Sequence, residues 1–164
     1  MLVLHDICWS VPDKPVLRHI NLTIPDRKCV VVTGPNGGGK TSLAKLIAGI
    51  TQPDSGKILL DGRIINGLSV TERAQSGIAY AFQQPVRFKG ITVRDLMELA
   101  SGRQMEEDAL CEILSKVGLC AKEYIDREVS AGLSGGESKR IEIATVLARR
   151  ARLTVFDEPE AGID

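Results

Sequence analysis

Residues 28–42 read KCVVVTGPNGGGKTS. The first half is a continuous apolar run that stops at a glycine, the pattern of a strand buried on both faces of a parallel sheet. The second half fits G-x-x-x-x-G-K-[ST], with Gly34, Gly39, Lys40 and Thr41 at the fixed positions, Pro35, Asn36, Gly37 and Gly38 between them, and Ser42 following. Glycines let the backbone wrap closely and turn several N–H groups toward one anion. KTSLAKLIAGI continues at helical spacing as far as Gly49, so the loop opens onto a helix N-terminus whose dipole favours a phosphate. In that setting Lys40 reaches β- and γ-phosphates and the Thr41 hydroxyl ligates Mg2+. The competing reading is a glycine-rich strand–helix turn that holds no ligand. A phosphate loop between strand and helix names a nucleotide, not a reaction.

Composition sets the frame around this loop. The chain has 164 residues, 43% hydrophobic and 26% charged, with 21 basic and 21 acidic side chains. That is enough for one sizeable core, with or without an inserted subdomain. The balanced charge supplies no overall pull toward nucleic acid or an anionic membrane surface. No apolar run approaches the roughly 20 residues of a bilayer span. The start, MLVLHDICWS, lacks the basic and small-residue features of a signal peptide, so a cytoplasmic location is expected. The four cysteines (Cys8, Cys29, Cys111, Cys120) form no C-x-x-C and are expected to be reduced and mostly buried.

Outward from the loop, LVLHDICWSV and VLRHINLTI read as strands around the turn-forming PDKP. PDSG leads into KILL, and Asp61-Gly62 turns the chain again before RIIN. Ser69-x-x-Glu72 is a capping box opening a short helix, and GIAYAF is a further strand. TVRDLMELA and EEDALCEILSKVG are amphipathic helices with no strand between them. From Ile141 the pattern returns to helix and then strand. Strand-rich ends with a helical middle predict an α/β core over residues 1–83 and 141–164, interrupted by a helical subdomain over 84–140.

The last strand, Leu153–Phe156, ends in adjacent carboxylates, Asp157 and Glu158. An apolar strand ending in Asp is the Mg2+-side partner a phosphate loop needs, and Glu158 is then placed to orient or deprotonate the attacking water. Two solvated acids at a strand end are the alternative. Pro159 cannot donate to a ladder and ends the strand.

Between loop and carboxylates lies LSGGE, residues 133–137, followed by the helical run SKRIEIATVLARRA. Alone, Ser134-x-x-Glu137 is a capping box. With the phosphate loop before it and the Asp-Glu strand end after it, the set resembles the ABC (ATP-binding cassette) ATPase family. The resemblance spans the chain and implies a P-loop NTPase (RecA-like) core with N-terminal antiparallel β elements and an inserted helical subdomain. It implies Mg-ATP binding and hydrolysis, with Glu158 as the catalytic carboxylate and Mg2+ held by Thr41, Gln83 and Asp157. It also implies a head-to-tail dimer in which Ser134, Gly135 and Gly136 close over ATP held by the second ATPase subunit. Gln83 matches the family's Q-loop glutamine, and EAGID resembles its D-loop, with Asp164 at the aspartate.

Two departures stand out. Where the family stacks an aromatic on adenine this chain has Val11, so an apolar contact takes that place. The family's switch histidine lies beyond Glu158, and the two histidines here, His5 and His19, sit in early strands. The family domain normally continues past this point, so an incomplete C-terminus with low hydrolysis is expected. SGGESKRIEI, FQQPV and DEPEAGID look most like the Suf-type ATPases of iron–sulfur cluster assembly, so an ATPase that energises a soluble scaffold is the first expectation. ATVLARRA and ITVRDL are closer to transporter subunits, which couple to a membrane permease and would be membrane-peripheral. A non-catalytic ATP-binding module is the third reading.

Overall fold

The computed structural model describes residues 1–12, 14–82, 88–129 and 132–158. Contacts divide the chain into two units, Met1–Ile78 and Ala79–Asp164, described separately below. In the first unit, β1 (Leu2–Val11) is the hub of an antiparallel sheet ordered β2-β1-β3-β4, with β2 at Lys14–Ile24, β3 at Ser55–Leu60 and β4 at Arg63–Ile64. β1 presents Leu2, Leu4 and Ile7 inward, and the shift from even to odd positions falls at Asp6, whose φ of 54° marks a bulge. The β3–β4 hairpin turns on Asp61 and Gly62, both at positive φ, as the sequence predicts for Asp-Gly.

Helix α1 (Lys40–Ala48) buries Leu43, Ala44, Leu46, Ile47 and Ala48 and stops at Gly49, which is left-handed. Helix α2 (Val70–Gln75) opens on the predicted Ser69–Glu72 capping box. It carries Arg73, a fully buried guanidinium that closes the end of α1. Its Nη1 donates to the carbonyls of Leu46 (2.6 Å) and Ile47 (3.1 Å), and Nη2 donates to that of Asn66 (3.1 Å). A cation at a helix C-terminus answers the negative end of the dipole.

The predicted strand ahead of the phosphate loop is not formed. Residues 28–34 have no strand pairing, and Val31 is 77% exposed. A parallel strand needs a neighbouring ladder and a cover on each face. The four strands of this unit pair with one another and leave the apolar run outside their sheet.

The second unit is built around helices α3 (Val93–Ser101), α4 (Glu107–Lys116), α5 (Ala121–Tyr124) and α6 (Gly135–Arg149). Val93 and Met97 of α3, Leu110 and Leu114 of α4, and Ile141, Ala144 and Ala148 of α6 share one buried cluster. Two loops are zipped beside it: Val93 N donates to Arg127 O, Arg94 N to Ile125 O and Val129 N to Ile91 O. β5 (Ile78–Ala81) and β6 (Leu153–Phe156) form a separate two-stranded sheet. β6 is half-exposed, with Phe156 open to solvent, rather than buried as its sequence suggests. The cysteines also depart from expectation: Cys29 and Cys120 are exposed, and Cys8 and Cys111 are partly buried. Among the described residues no helix is long and apolar enough to cross a membrane.

Candidate nucleotide site

The phosphate loop lies against the N-terminal sheet. Gly39 takes φ 87° as the N-cap of α1, and a Cβ there would meet Leu17 Cδ2 at 2.8 Å and Val16 Cγ1 at 3.0 Å. Only glycine satisfies both demands. Gly37 is also left-handed (φ 77°) but faces open space, as does Gly34. Inside the loop, Gly38 N donates to Pro35 O at 3.1 Å. Lys40 folds back over it, giving two of its three donors to the carbonyls of Gly34 and Pro35, each at 2.9 Å.

The start of α1 differs from the starts of α2, α3 and α6. Those three carry a capping box with Glu72, Asp95 or Glu137 as the acid. α1 has no side-chain cap and no acid in its first turn. Its leading N–H groups therefore open beside a glycine loop and the Lys40 ammonium, and no acid of the helix's own first turn caps them. This donor set fits a polyphosphate.

The second unit holds the other expected chemistry. Asp157, at the end of β6, is buried and accepts a hydrogen bond from Tyr80 Oη through Oδ2 (3.1 Å), while its own N–H donates to Ala81 O (3.3 Å). Burial first, and then the Asp157 carboxylate and the charge of Glu142, push the Tyr80 hydroxyl above the usual phenol range. Glu158 follows in a left-handed conformation, φ 49°. A carboxylate fixed by a phenol and a strand amide is a hard, oriented oxygen donor suited to Mg2+.

The signature stretch forms a helix start as predicted. Ser134 caps α6, its hydroxyl accepting from Glu137 N (3.2 Å), and Glu137 Oε2 accepts from Ser134 N (2.6 Å). Glu137 Oε1 accepts from the Tyr124 hydroxyl and lies 3.5 Å from Arg127 Nη1. These partners hold the carboxyl down at about 2, the Tyr124 hydrogen bond contributing most, then the Ser134 amide and hydroxyl, with Arg127 adding charge. Ser134 and Gly135 are exposed, and a Cβ on Gly135 would meet nothing within 4 Å.

The structure thus gathers Gly34–Gly39 into one loop that opens onto Lys40, Thr41 and Ser42 at the start of α1, and places Asp157 and Glu158 at one strand end and Ser134–Gly136 at one helix start. Val11 lies at the exposed end of β1, opposite Lys14. Gln83, Pro159 and Asp164 lie outside the described residues. His19, in β2, pairs with Asp6 (2.7 Å), and His5 lies exposed in β1. Sequence reasoning did not find the groups that hold these pieces: the buried Arg73 and Lys139, and the partly buried Tyr80, Tyr124 and Glu142. Two charges three apart on an otherwise apolar helix face were the available signal for Lys139 and Glu142.

These features define a phosphate-loop nucleotide-binding protein with mixed α/β architecture. Comparison with known proteins supplies the family. The ABC transporter family profile matches residues 17–161. An uncharacterized ABC transporter ATP-binding protein, MJ0035 of Methanocaldococcus jannaschii, is 38% identical over 172 residues, covering all of this chain and 69% of the relative. The probable ATP-dependent transporter ycf16 of Pyropia yezoensis is 33% identical, covering 100% and 70%. The lipopolysaccharide export system ATP-binding protein LptB of Haemophilus influenzae is 32% identical, covering 100% and 69%. In fold, the chain superposes at a TM-score of 0.84 and 22% identity on the ATP-binding cassette MJ0796, solved as a dimer in a post-hydrolysis state bound to ADP and Pi, covering all of this chain and 76% of that one. The chain belongs to the ABC transporter ATP-binding family and is an ABC-type ATPase.

Proposed function

We propose that this chain is the nucleotide-binding subunit of an ABC transporter, hydrolysing Mg-ATP to drive a membrane permease from the cytoplasmic face. The observation that carries this reading is the family match over residues 17–161, shared with relatives named as transporter ATP-binding proteins. The amides of Gly34–Ser42 and the Lys40 ammonium take the phosphates, Lys40 exchanging its loop carbonyls for phosphate oxygens. Thr41, Gln83 and Asp157 hold Mg2+, which supplies charge neutralisation at the transferring phosphoryl group. Glu158 orients the attacking water and accepts its proton. Val11 gives adenine an apolar contact. Ser134, Gly135 and Gly136 serve the nucleotide of a second copy, which fits the exposure of Ser134 and Gly135.

A second reading, an ATPase that energises a soluble iron–sulfur assembly scaffold, rests on the signature SGGESKRIEI. Its unusual charged residues Lys139 and Glu142 are interior rather than decorative, Lys139 being almost fully buried. Affinity purification of the tagged protein from its native cells, with membrane and soluble fractions kept apart, separates the two. Recovery with an integral membrane protein supports the transporter subunit. Recovery only with soluble cluster-assembly subunits overturns it in favour of the scaffold.

A further inference from the structure

Phe82 closes β5, and both of its backbone polar groups are taken by one helix. Its N–H donates to Glu142 Oε1 (2.7 Å), and its carbonyl accepts from Lys139 Nζ. Lys139 and Glu142 stand one turn apart on α6, and Glu142 Oε2 lies 2.9 Å from the Lys139 ammonium, held by charge rather than by an aligned hydrogen bond. The Lys139 side chain is 1% exposed and that of Glu142 is 14% exposed. Desolvating such a pair is costly, and well-packed apolar residues commonly do as well or better for stability alone. The pair therefore calls for a reason beyond packing.

The groups it holds supply one. The Phe82 ring packs edge-on against Tyr80, centroids 4.8 Å apart and planes at 89°. Tyr80 donates to the Asp157 carboxylate, and the Asp157 amide donates to Ala81, the residue before Phe82. Asp157 is thus positioned by β5, and β5 is positioned by α6. The anchor on α6 lies five residues from Ser134, about 7.5 Å along the helix axis at 1.5 Å per residue.

We propose that Lys139 and Glu142 are positioning residues that set the Asp157 carboxylate relative to the signature end of α6. A displacement of the signature helix then reaches the metal-side carboxylate through a short connection of hydrogen bonds, one ring contact and the backbone of β5. The proposal rests on the reading of Asp157 as a Mg2+ ligand, and the test separates the two.

Three variants of the full chain are compared: Lys139→Met, Lys139→Met/Glu142→Leu and Asp157→Asn. The first readout is the Mg2+ concentration giving half-maximal ATPase at saturating ATP. Loss of an outer-shell partner typically weakens a metal site by about 10–100-fold. Both Lys139 variants are expected to need at least about tenfold more Mg2+, with ATP affinity measured without Mg2+ unchanged. The second readout needs no turnover: hydrogen exchange at the backbone amides of Phe82 and Asp157, which donate to Glu142 and to Ala81. Loosening the clamp is expected to speed exchange of the Asp157 amide by at least about tenfold, with the amides of α4 unchanged. If Lys139→Met does not fold, the double variant, which leaves no unpaired buried charge, carries the Mg2+ test. Mg2+ dependence within twofold of the parent in the double variant, or an Asp157 amide in Lys139→Met that exchanges as slowly as in the parent, overturns the proposal. If Asp157→Asn leaves Mg2+ dependence unmoved, it is the ligand reading that fails.

Discussion

Three glycines in one loop are expected to respond to the same substitution in three different ways. At Gly34 a Cβ meets nothing within 4 Å and the backbone is not left-handed, so Gly34→Ala should change stability by no more than about 0.5 kcal/mol. At Gly37 the space is equally open but φ is 77°, so Gly37→Ala carries only the left-handed penalty, about 1–2 kcal/mol. At Gly39 the φ of 87° is joined by approaches of 2.8 Å to Leu17 and 3.0 Å to Val16. The same strain plus an overpacking cost of about 1–3 kcal/mol gives about 2–5 kcal/mol for Gly39→Ala. Urea unfolding monitored by far-ultraviolet circular dichroism measures all three, and a fluorescent ATP analogue reports binding alongside. The expected order is Gly39 well above Gly37, and Gly37 above Gly34, with nucleotide affinity lowered even where stability is not. Equal destabilisation at Gly34 and Gly39 would refute the seating of the loop on β2.

Other consequences follow from the same geometry. Gly135→Asp has room and an N-terminal helix position that favours an acid, so the monomer should keep its stability while Mg-ATP-dependent dimers are lost; sedimentation velocity checks this, and undiminished dimers count against a trans role for the signature. Glu137 is depressed to about 2, so its stabilisation is complete above the ordinary carboxyl range and is lost as pH falls through about 2. Acid unfolding followed at several pH values should therefore show that Glu137→Gln weakens the protein at neutral pH and converges on the parent near pH 2; a constant difference across the range contradicts the network. Arg73→Met leaves the carbonyls at the end of α1 short of a donor, and chemical denaturation should show a loss of about 2–4 kcal/mol, against little change if water replaces the guanidinium.

What could be read in advance was local. Ser69–Glu72 and Ser134–Glu137 cap their helices as spaced, because a capping box is closed by residues three apart and needs nothing distant. Thr92–Asp95 does the same at α3, with Asp in the place usually held by Glu or Gln, and the reading of TVRDLMELA by apolar spacing passed over it. The Asp-Gly hairpin and the Gly49 helix stop are legible for the same reason. Residues 28–34 show the limit. Their apolar continuity describes a strand with neighbours on both sides, and strand pairing is a property of the sheet rather than of the run. Burial of charge was equally hidden. Lys139, Glu142 and Arg73 look like surface residues until helix packing turns them inward, and only then do Phe82 and the end of α1 explain what they bind. At the candidate site, the phosphate loop and the Asp-Glu pair were visible as motifs. The Tyr80 and Tyr124 hydroxyls that orient its carboxylates were not.

The central claim is that the loop opening α1 binds the phosphates of ATP through Lys40. Thermal unfolding with and without Mg-ATP tests it most directly, comparing the chain with Lys40→Ala. At 100 times Kd the nucleotide should stabilise the parent by about 2.7 kcal/mol, while the variant gains little at the same concentration. A parent that shows no shift, or a Lys40→Ala variant that shifts equally, would contradict the account.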